Sequence, residues 1–507
     1  MNIKQAKQEI TNTLKAYLAK DQLGNYLIPT VRQRPVLLMG PPGVGKTQIM
    51  EQIAAETGVG LVAYTITHHT RQSAIGLPFI EKRTYGGEEV SVTEYTMSEI
   101  LSSVYQLMER TGLQEGILFL DEINCVSETL APMMLQFLQC KTFGNQALPE
   151  GWLIVAAGNP PEYNKSVRDF DVVTLDRVKR IDVEEDYGVW KEYARRKNLH
   201  GAVLSYLDIK KDNFYRIENT ADGLQFATAR GWEDLSELLY AYETLGIRAD
   251  REVVGQYIQM PRIAKDFANY LEMFYKYQKT YHVEGILSGT WENITVLELR
   301  EAPFDEKLSV MGLVLSRLSE EARNTRCQDA LTDALHTSLT EFREKIADAP
   351  PLTVLDQLLW KRRTAMKQAK EAGQLDKESR DLKQREINAL EDYRQRLDRE
   401  AVAPEGAMDA VRGWFGEEVE RRKAVAMETK DMFDNAFRFL ETTFGDSQEL
   451  VIFVTEITAG YDTSWFVEQF GCDAYFRHNR ELLFDSTRHR IREEIAAAKA
   501  AEQEENT

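Results

Sequence analysis

The sequence lacks the features that mark secreted, membrane-spanning and zinc-binding proteins. Its four cysteines are scattered without a CxxC pair, which fits a reducing compartment better than a disulfide framework or a zinc site. No stretch approaches the roughly 18 uninterrupted apolar residues that a membrane helix needs. The first twenty residues have no apolar signal-peptide centre and show the spacing of an amphipathic helix. We therefore expect a cytoplasmic protein with no membrane segment.

Basic residues are also scarce relative to acidic ones. The chain has 62 Lys and Arg residues against 81 Asp and Glu residues, a formal net charge of −19. Affinity for nucleic acid rests largely on basic side chains that neutralise phosphates, so this balance disfavours a nucleic-acid partner. The net charge does not show whether basic residues form a local patch.

The 507 residues are too many for one compact core, so we expect two to four domains. Strand-like and helix-like segments alternate over the first 180 residues, which is typical of an α/β sheet with mostly parallel strands. After about residue 184, helical periodicity takes over.

The segment GPPGVGKT, residues 40–47, lies between a short apolar strand and a helix. Its glycines let the backbone curl so that successive N–H groups face a phosphate chain, and the helix adds its positive N-terminal end. Lys46 would reach the β- and γ-phosphates of ATP, and the Thr47 hydroxyl would bind Mg²⁺. The predicted nucleotide-binding residues are Gly40, Pro41, Pro42, Gly43, Val44, Gly45, Lys46 and Thr47.

Two more strands end in polar side chains. The apolar run 117–120 leads into Asp121 and Glu122, and the run 153–157 leads to Asn159. Ligands of open α/β sheets bind at the carboxyl ends of the strands. Asp121 would help Thr47 to hold Mg²⁺, Glu122 would polarise the attacking water, and Asn159 would orient that water.

These three segments together resemble the MoxR family of AAA+ ATPases, over about residues 30–270. The similarity is carried by GPPGVGKT, by LFLDEIN at 118–124 and by AAGNPPEYN at 156–164, and the leucine-rich helix after DEIN adds to it. The resemblance implies an ATP- and Mg²⁺-dependent hydrolase that acts as a ring, with a hexamer as the expected size.

The resemblance also implies two functional arginines. The segment Thr174–Arg177 is similar to the family's Leu-Asp-Arg, whose arginine reaches the γ-phosphate bound by a neighbouring subunit. Arg177 is the candidate arginine finger and Arg180 a competitor, because Val178 stands where the family usually has Phe. Thr228-Ala229-Arg230 resembles the Ser-Pro-Arg that opens a lid helix, which makes Arg230 the candidate sensor of the phosphate state.

Other segments leave alternatives open. A hairpin predicted at 79–95, around Tyr85-Gly86-Gly87, lies where this branch of AAA+ proteins carries an insertion; it is an ordinary turn or it lines a central pore. A charged helical hairpin is expected at about 350–423, either as a solvated face or as a docking arm. The segment 449–458 fits a strand or a buried helix.

The predicted fold class is α/β, a P-loop NTPase core with a mostly parallel sheet, an α-helical lid and a largely α-helical C-terminal extension. The expected domains are the core at 1–183, the lid at 184–275 and the helical region at 276–507.

Three functional hypotheses remain at this point. The first is a chaperone-like ATPase that remodels or activates a partner complex; by resemblance, that partner carries a von Willebrand factor A (VWA) domain. The second is a nucleic-acid motor or a restriction subunit of the McrB type. The third is a nucleotide switch without hydrolysis, which the presence of Glu122 disfavours.

Overall fold

The computed structural model describes residues 1–68, 76–86, 88–143, 146–163, 170–220 and 223–480. The chain splits into two compact units. The first comprises Met1–Val189 and Asp348–Gln395, and the second comprises Trp190–Ala347 and Arg396–Thr507.

The secondary-structure elements are numbered here in chain order. The strands are β1 (Val36–Met39), β2 (Gly60–Thr65), β3 (Pro78–Tyr85), β4 (Glu88–Tyr95), β5 (Gly116–Asp121), β6 (Thr142–Phe143), β7 (Gln146–Ala147), β8 (Trp152–Gly158), β9 (Lys179–Asp182), β10 (Arg216–Thr220) and β11 (Gly223–Ala227). The helices are α1 (Ile3–Leu18), α2 (Lys46–Thr57), α3 (Glu99–Thr111), α4 (Ala131–Cys140), α5 (Val172–Leu175), α6 (Tyr187–Arg196), α7 (Gly201–Ile209), α8 (Ala229–Leu245), α9 (Arg251–Tyr257), α10 (Pro261–Thr280), α11 (Val283–Ser288), α12 (Asn293–Glu301), α13 (Phe304–Lys345), α14 (Pro351–Glu371), α15 (Lys377–Arg399), α16 (Ala407–Phe444), α17 (Gln448–Ala459) and α18 (Tyr461–Phe470).

A five-stranded parallel sheet in the order β2-β5-β8-β1-β9 forms the centre of the first unit. Successive strand residues point to opposite faces, as in Leu118 and Phe119, and each face has its own buried cluster. Helices α1 and α2 cover one face, and α3 and α4 cover the other. The three central strands β5, β8 and β1 are buried on both faces and almost wholly apolar, whereas the edge strand β9 carries Lys179 and Arg180. The predicted α/β fold with a parallel sheet is confirmed.

The strands approach one another closely where they begin. A Cβ atom at Gly116 would lie 2.6 Å from the ring of Trp152 and 2.8 Å from the carbonyl oxygen of Gly60. A Cβ atom at Gly60 would lie 3.2 Å from the same ring. The indole of Trp152 is buried and occupies the space that two side chains would otherwise fill.

Helices α14 and α15 form an antiparallel hairpin that belongs to the first unit. Arg362 pairs with Glu386 near the middle of the hairpin, and Arg394 pairs with Asp356 nearer its open end. The tip contacts α3, because Arg110 donates to the carbonyl oxygen of Glu371 at 2.9 Å. It also reaches the edge of the sheet, where Gln374 donates to the carbonyl oxygen of Val59 at 3.4 Å. These contacts fix the tip on the core of the first unit.

The second unit is mainly helical, with the long helices α13 and α16 at its centre. Strands β10 and β11 form a small antiparallel hairpin that helical periodicity did not predict. The segment 449–458 is helical and lies within α17. Half-buried ion pairs join the helices: Lys191 contacts Asp208 at 2.6 Å and Glu456 at 2.9 Å.

In the part of the chain that the structure describes, no helix is both long and apolar enough to cross a membrane. The C-terminal residues 481–507 lie outside the described residues.

Candidate active site

The predicted phosphate loop connects β1 to α2 at the carboxyl edge of the sheet. Gly43 and Gly45 have φ angles of 77° and 91°, a left-handed backbone that glycine adopts without strain. Gly45 is the N-cap of α2 and has no side chain to cap the first N–H groups of that helix. The loop therefore presents helix N–H groups to a ligand rather than to its own side chains.

Lys46 is buried at the first position of α2, with 8% of its surface exposed. Its ammonium group donates to the carbonyl oxygens of Gly40 and Pro41, both at 2.8 Å, and to Oδ1 of Asn159 at 2.9 Å. An ammonium has three N–H donors, so three oxygen atoms satisfy it. Lys46, the residue predicted to bind phosphate, therefore contacts Asn159, the residue predicted to orient the attacking water.

Thr47 and Asp121 meet beside the loop. The Thr47 hydroxyl donates to Oδ2 of Asp121 at 2.9 Å. Mg²⁺ takes hard oxygen ligands at about 2.1 Å in an octahedron, in which neighbouring oxygens lie about 3 Å apart. A hydroxyl and a carboxylate at this separation fit two neighbouring positions around such an ion.

Glu122 has a left-handed backbone, with a φ angle of 56°, directly after β5. This conformation is strained for a residue with a side chain, and such strain persists only where the surroundings hold it. Its carboxylate accepts a hydrogen bond from the Thr67 hydroxyl at 2.9 Å. The sequence patterns did not predict Thr67, although it lies just after β2, at the same carboxyl edge as Asp121 and Asn159.

Asn159 follows the last residue of β8, and Asn124 holds its backbone. The Asn124 side chain donates to the carbonyl oxygen of Asn159 at 2.8 Å and accepts from its N–H at 3.3 Å. In the sequence, Asn124 appears only as part of the segment DEIN, which does not indicate its hydrogen-bond partner.

The two candidate arginine fingers lie on different elements. Arg177 follows α5 and donates to Oε1 of Gln139 at the end of α4. Arg180 is in the edge strand β9, where it pairs with Asp182 at 2.8 Å. Both are exposed.

Arg230 belongs to the second unit, in the first turn of α8. The predicted N-cap Thr228 has an extended backbone, and its hydroxyl accepts from the N–H of Gly231 at 3.3 Å. The helix start expected from the sequence is therefore present, and the Arg230 side chain is exposed.

The predicted hairpin at 79–95 corresponds to β3 and β4, which pair from Pro78 with Tyr95 to Tyr85 with Glu88. Its residues are exposed almost throughout, and they include the apolar side chains of Phe79, Ile80, Tyr85 and Val90. Gly87 lies outside the described residues, so the turn itself is not described.

One protein family matches this part of the chain. Residues 35–178 match the family model of the AAA domain, dynein-related subfamily. No curated protein matches the sequence. Among solved structures, the chain is similar to a RuvB mutant from Thermotoga maritima, at 15% identity and a TM-score of 0.28, over 51% of this chain and 69% of that chain. A likeness of this degree carries no functional argument.

The matched range contains the phosphate loop, Asp121, Glu122 and Asn159. An AAA domain binds and hydrolyses ATP, typically with Mg²⁺. The chain is therefore an ATPase, and its resemblance to AAA+ proteins is confirmed for this range. Membership of the MoxR family stays a prediction.

Proposed function

We propose that this chain couples ATP hydrolysis to the remodelling or activation of a partner protein, and that it acts as a ring. The observation that carries the proposal is the hydrolytic cluster at the carboxyl edge of the sheet, in which Lys46, Asn159, Thr47 and Asp121 are already in contact.

Each residue of the cluster has a role that its chemistry supports. The N–H groups of the loop and Lys46 bind the phosphates of ATP. Thr47 and Asp121 would hold Mg²⁺, which neutralises charge on the phosphates when it is bound. Glu122 accepts a proton from the attacking water, and Asn159 orients that water.

The exposed β3–β4 hairpin supports a polypeptide client. Phe79, Tyr85 and Val90 share one face of a two-stranded ribbon, with 46%, 56% and 44% of their surfaces exposed. Grouped apolar side chains on a surface mark sites where other molecules bind. The hairpin would contact a client, and Tyr85 next to the turn would line a pore if the subunits form a ring.

Two features support a ring with shared sites. AAA+ proteins commonly assemble into rings, and an arginine after α5 resembles the residue that completes a neighbour's site. Arg177 would stabilise charge in the transition state from that position, and an isolated subunit would hydrolyse ATP slowly. A hexamer and a VWA-domain partner follow from the MoxR resemblance alone.

Arg230 would report the state of the nucleotide to the helical region. Its place in the first turn of a capped helix suits a side chain that binds phosphate. Loss of the γ-phosphate would release it, and movement of the helices would then act on the client.

The substitution Glu122→Gln tests the hydrolytic assignment. It removes the proton acceptor but keeps the size and polarity of the side chain, so we expect ATP binding to persist while kcat falls at least about 100-fold. Lys46→Ala is the matched control, because it should remove binding as well as hydrolysis. Unchanged turnover in Glu122→Gln would show that the mechanism is wrong, and stimulation by DNA would favour the McrB-type alternative.

A further inference from the structure

A single buried side chain joins the two loops that carry the proposed water-positioning residues. Asn124 is 2% exposed and lies two residues after Glu122. Its amide makes two hydrogen bonds to the backbone of Asn159, one as donor and one as acceptor. The geometry is that of a strand residue pairing with both polar groups of its neighbour.

The backbone of Asn159 needs a partner from outside the sheet. Strand β8 pairs with β1 only as far as Gly158, and Pro160 and Pro161 follow Asn159. A proline has no N–H group and cannot extend a ladder. Buried backbone groups without partners are unfavourable, and Asn124 supplies both bonds at this position.

Gly158 makes the pairing possible. A Cβ atom at that position would lie 2.7 Å from Oδ1 of Asn124, far inside van der Waals contact. The amide therefore occupies the space that any other residue at 158 would fill. A glycine and an asparagine, 34 positions apart in sequence, form one complementary contact.

The same contact bears on Glu122. The N–H of Ile123 donates to the carbonyl oxygen of Ala157 at 2.9 Å, so the chain after Glu122 is attached to β8 at two successive residues. Asp121 ends β5 on the other side of Glu122. These attachments hold Glu122 in its left-handed conformation, between a strand and a fixed loop.

We infer that Asn124 is a positioning residue, which sets the orientation of Asn159 and the backbone of Glu122 relative to each other. The inference rests on the proposed function, in which those two residues position and activate water. Both hydrogen bonds of its amide are to the backbone of Asn159, so Asn124 acts through that residue. Only a side chain of this size with both a donor and an acceptor meets both groups of Asn159.

The test compares full-length variants at saturating ATP and in equilibrium nucleotide binding. Asn124→Leu keeps the branched shape of the side chain and removes both bonds, and Asn124→Asp keeps only the acceptor. Because small displacements of catalytic groups slow reactions by about 100-fold, we expect kcat to fall by about that factor in Asn124→Leu, with ATP affinity little changed. Gly158→Ala removes no polar group but places a methyl group where the Asn124 amide lies, so it should reproduce the loss.

Two further variants separate positioning from general stability. Asn213→Leu removes another buried asparagine amide, which donates to Tyr206 in the second unit, and should leave kcat unchanged. Asn124→Leu combined with Asn159→Ala should be no slower than the slower single variant, because Asn124 acts through Asn159.

The outcomes distinguish this inference from the proposed function. If Glu122→Gln abolishes turnover but Asn124→Leu and Gly158→Ala hydrolyse ATP normally, the positioning role is wrong and the hydrolytic site stands. Multiplicative losses in the double variant would also overturn it. If Asn124→Leu does not fold, Asn124→Asp decides by the same criteria. Normal turnover in Glu122→Gln would instead remove the proposed function.

Discussion

At the residue scale, polar side chains at the carboxyl ends of neighbouring strands contact one another. The sequence predicted Lys46, Thr47, Asp121 and Asn159 because each follows an apolar strand or lies in the glycine-rich loop. The sequence did not predict which of these side chains contact one another. Thr67 and Asn124 were missed because their partners are 55 and 35 residues away, and no local pattern encodes such a pairing.

Buried Lys141 gives a prediction at the same scale. It lies at the C-cap of α4 with 8% of its surface exposed and donates to the carbonyl oxygen of Thr30 at 3.1 Å. Burial lowers the pKa of Lys141 from 10.5 to about 8. The folded state therefore holds this proton less tightly than the unfolded state does.

The sign of the pH dependence follows from linkage. Below pH 8 both states carry the charge and the folded state bears the full burial penalty, which declines as pH rises from about 8 to 10.5. Lys141→Met should raise the free energy of unfolding at pH 7 by about 1–3 kcal/mol, with a smaller gain near pH 10. Urea denaturation at both pH values measures it, with exposed Lys15→Met as the control. A gain that does not depend on pH would contradict the assignment.

At the element scale, the sequence predicted the β1–loop–α2 unit, the β3–β4 hairpin and the apolar strands that lead to Asp121 and Asn159. The signal is strong there because the central strands β1, β5 and β8 are buried on both faces and are therefore short apolar runs. It did not predict β10 and β11, whose mixed residues Arg216–Thr220 carry no clear alternation. Segment 449–458 is a helix that buries Leu450, Phe453, Val454 and Ile457, a helical spacing that its short apolar run 450–454 hides in the sequence.

Strand packing predicts an unequal response to two glycine substitutions. Gly116→Ala places a methyl group against the Trp152 ring and should lower the free energy of unfolding of the first unit by about 1–3 kcal/mol. Gly413→Ala lies in helix α16 with open space around it and should raise stability by up to about 1 kcal/mol. Denaturant unfolding measures both. If the two variants had the same free energy of unfolding, the strands would be less closely packed at Gly116 than described.

The helical hairpin gives a further prediction at this scale. Arg110→Ala removes the hydrogen bond to the carbonyl oxygen of Glu371 at its tip. We expect faster backbone hydrogen exchange around residues 371–376, with little change in the sheet, because the affected contacts are local. Arg412→Ala, which removes only an exposed pair with Asp409, is the control. Unchanged exchange at the tip would mean that other contacts hold the hairpin.

At the scale of the whole molecule, the chain enters the first unit twice. Residues 348–395 group with the nucleotide-binding core, although helices of the second unit precede and follow them. This segment is rich in Glu, Lys and Arg, a composition that indicates a helix. The composition does not indicate which part of the protein that helix packs against. Its contacts join residues about 260 to 315 positions apart, such as Arg110 with Glu371 and Val59 with Gln374. Sequence periodicity cannot specify pairings over such distances.

The central claim is that ATP is hydrolysed at a site that two subunits complete. Lys46→Ala should bind no ATP but keep Arg177, whereas Arg177→Ala should bind ATP but lack the finger, so each variant alone should be nearly inactive. Mixed before assembly in equal amounts, they should recover about a quarter of wild-type ATPase activity, because a head-to-tail ring then pairs an intact loop with an intact arginine at that frequency. Full activity of Arg177→Ala alone, or a mixture as inactive as its parts, would contradict the account.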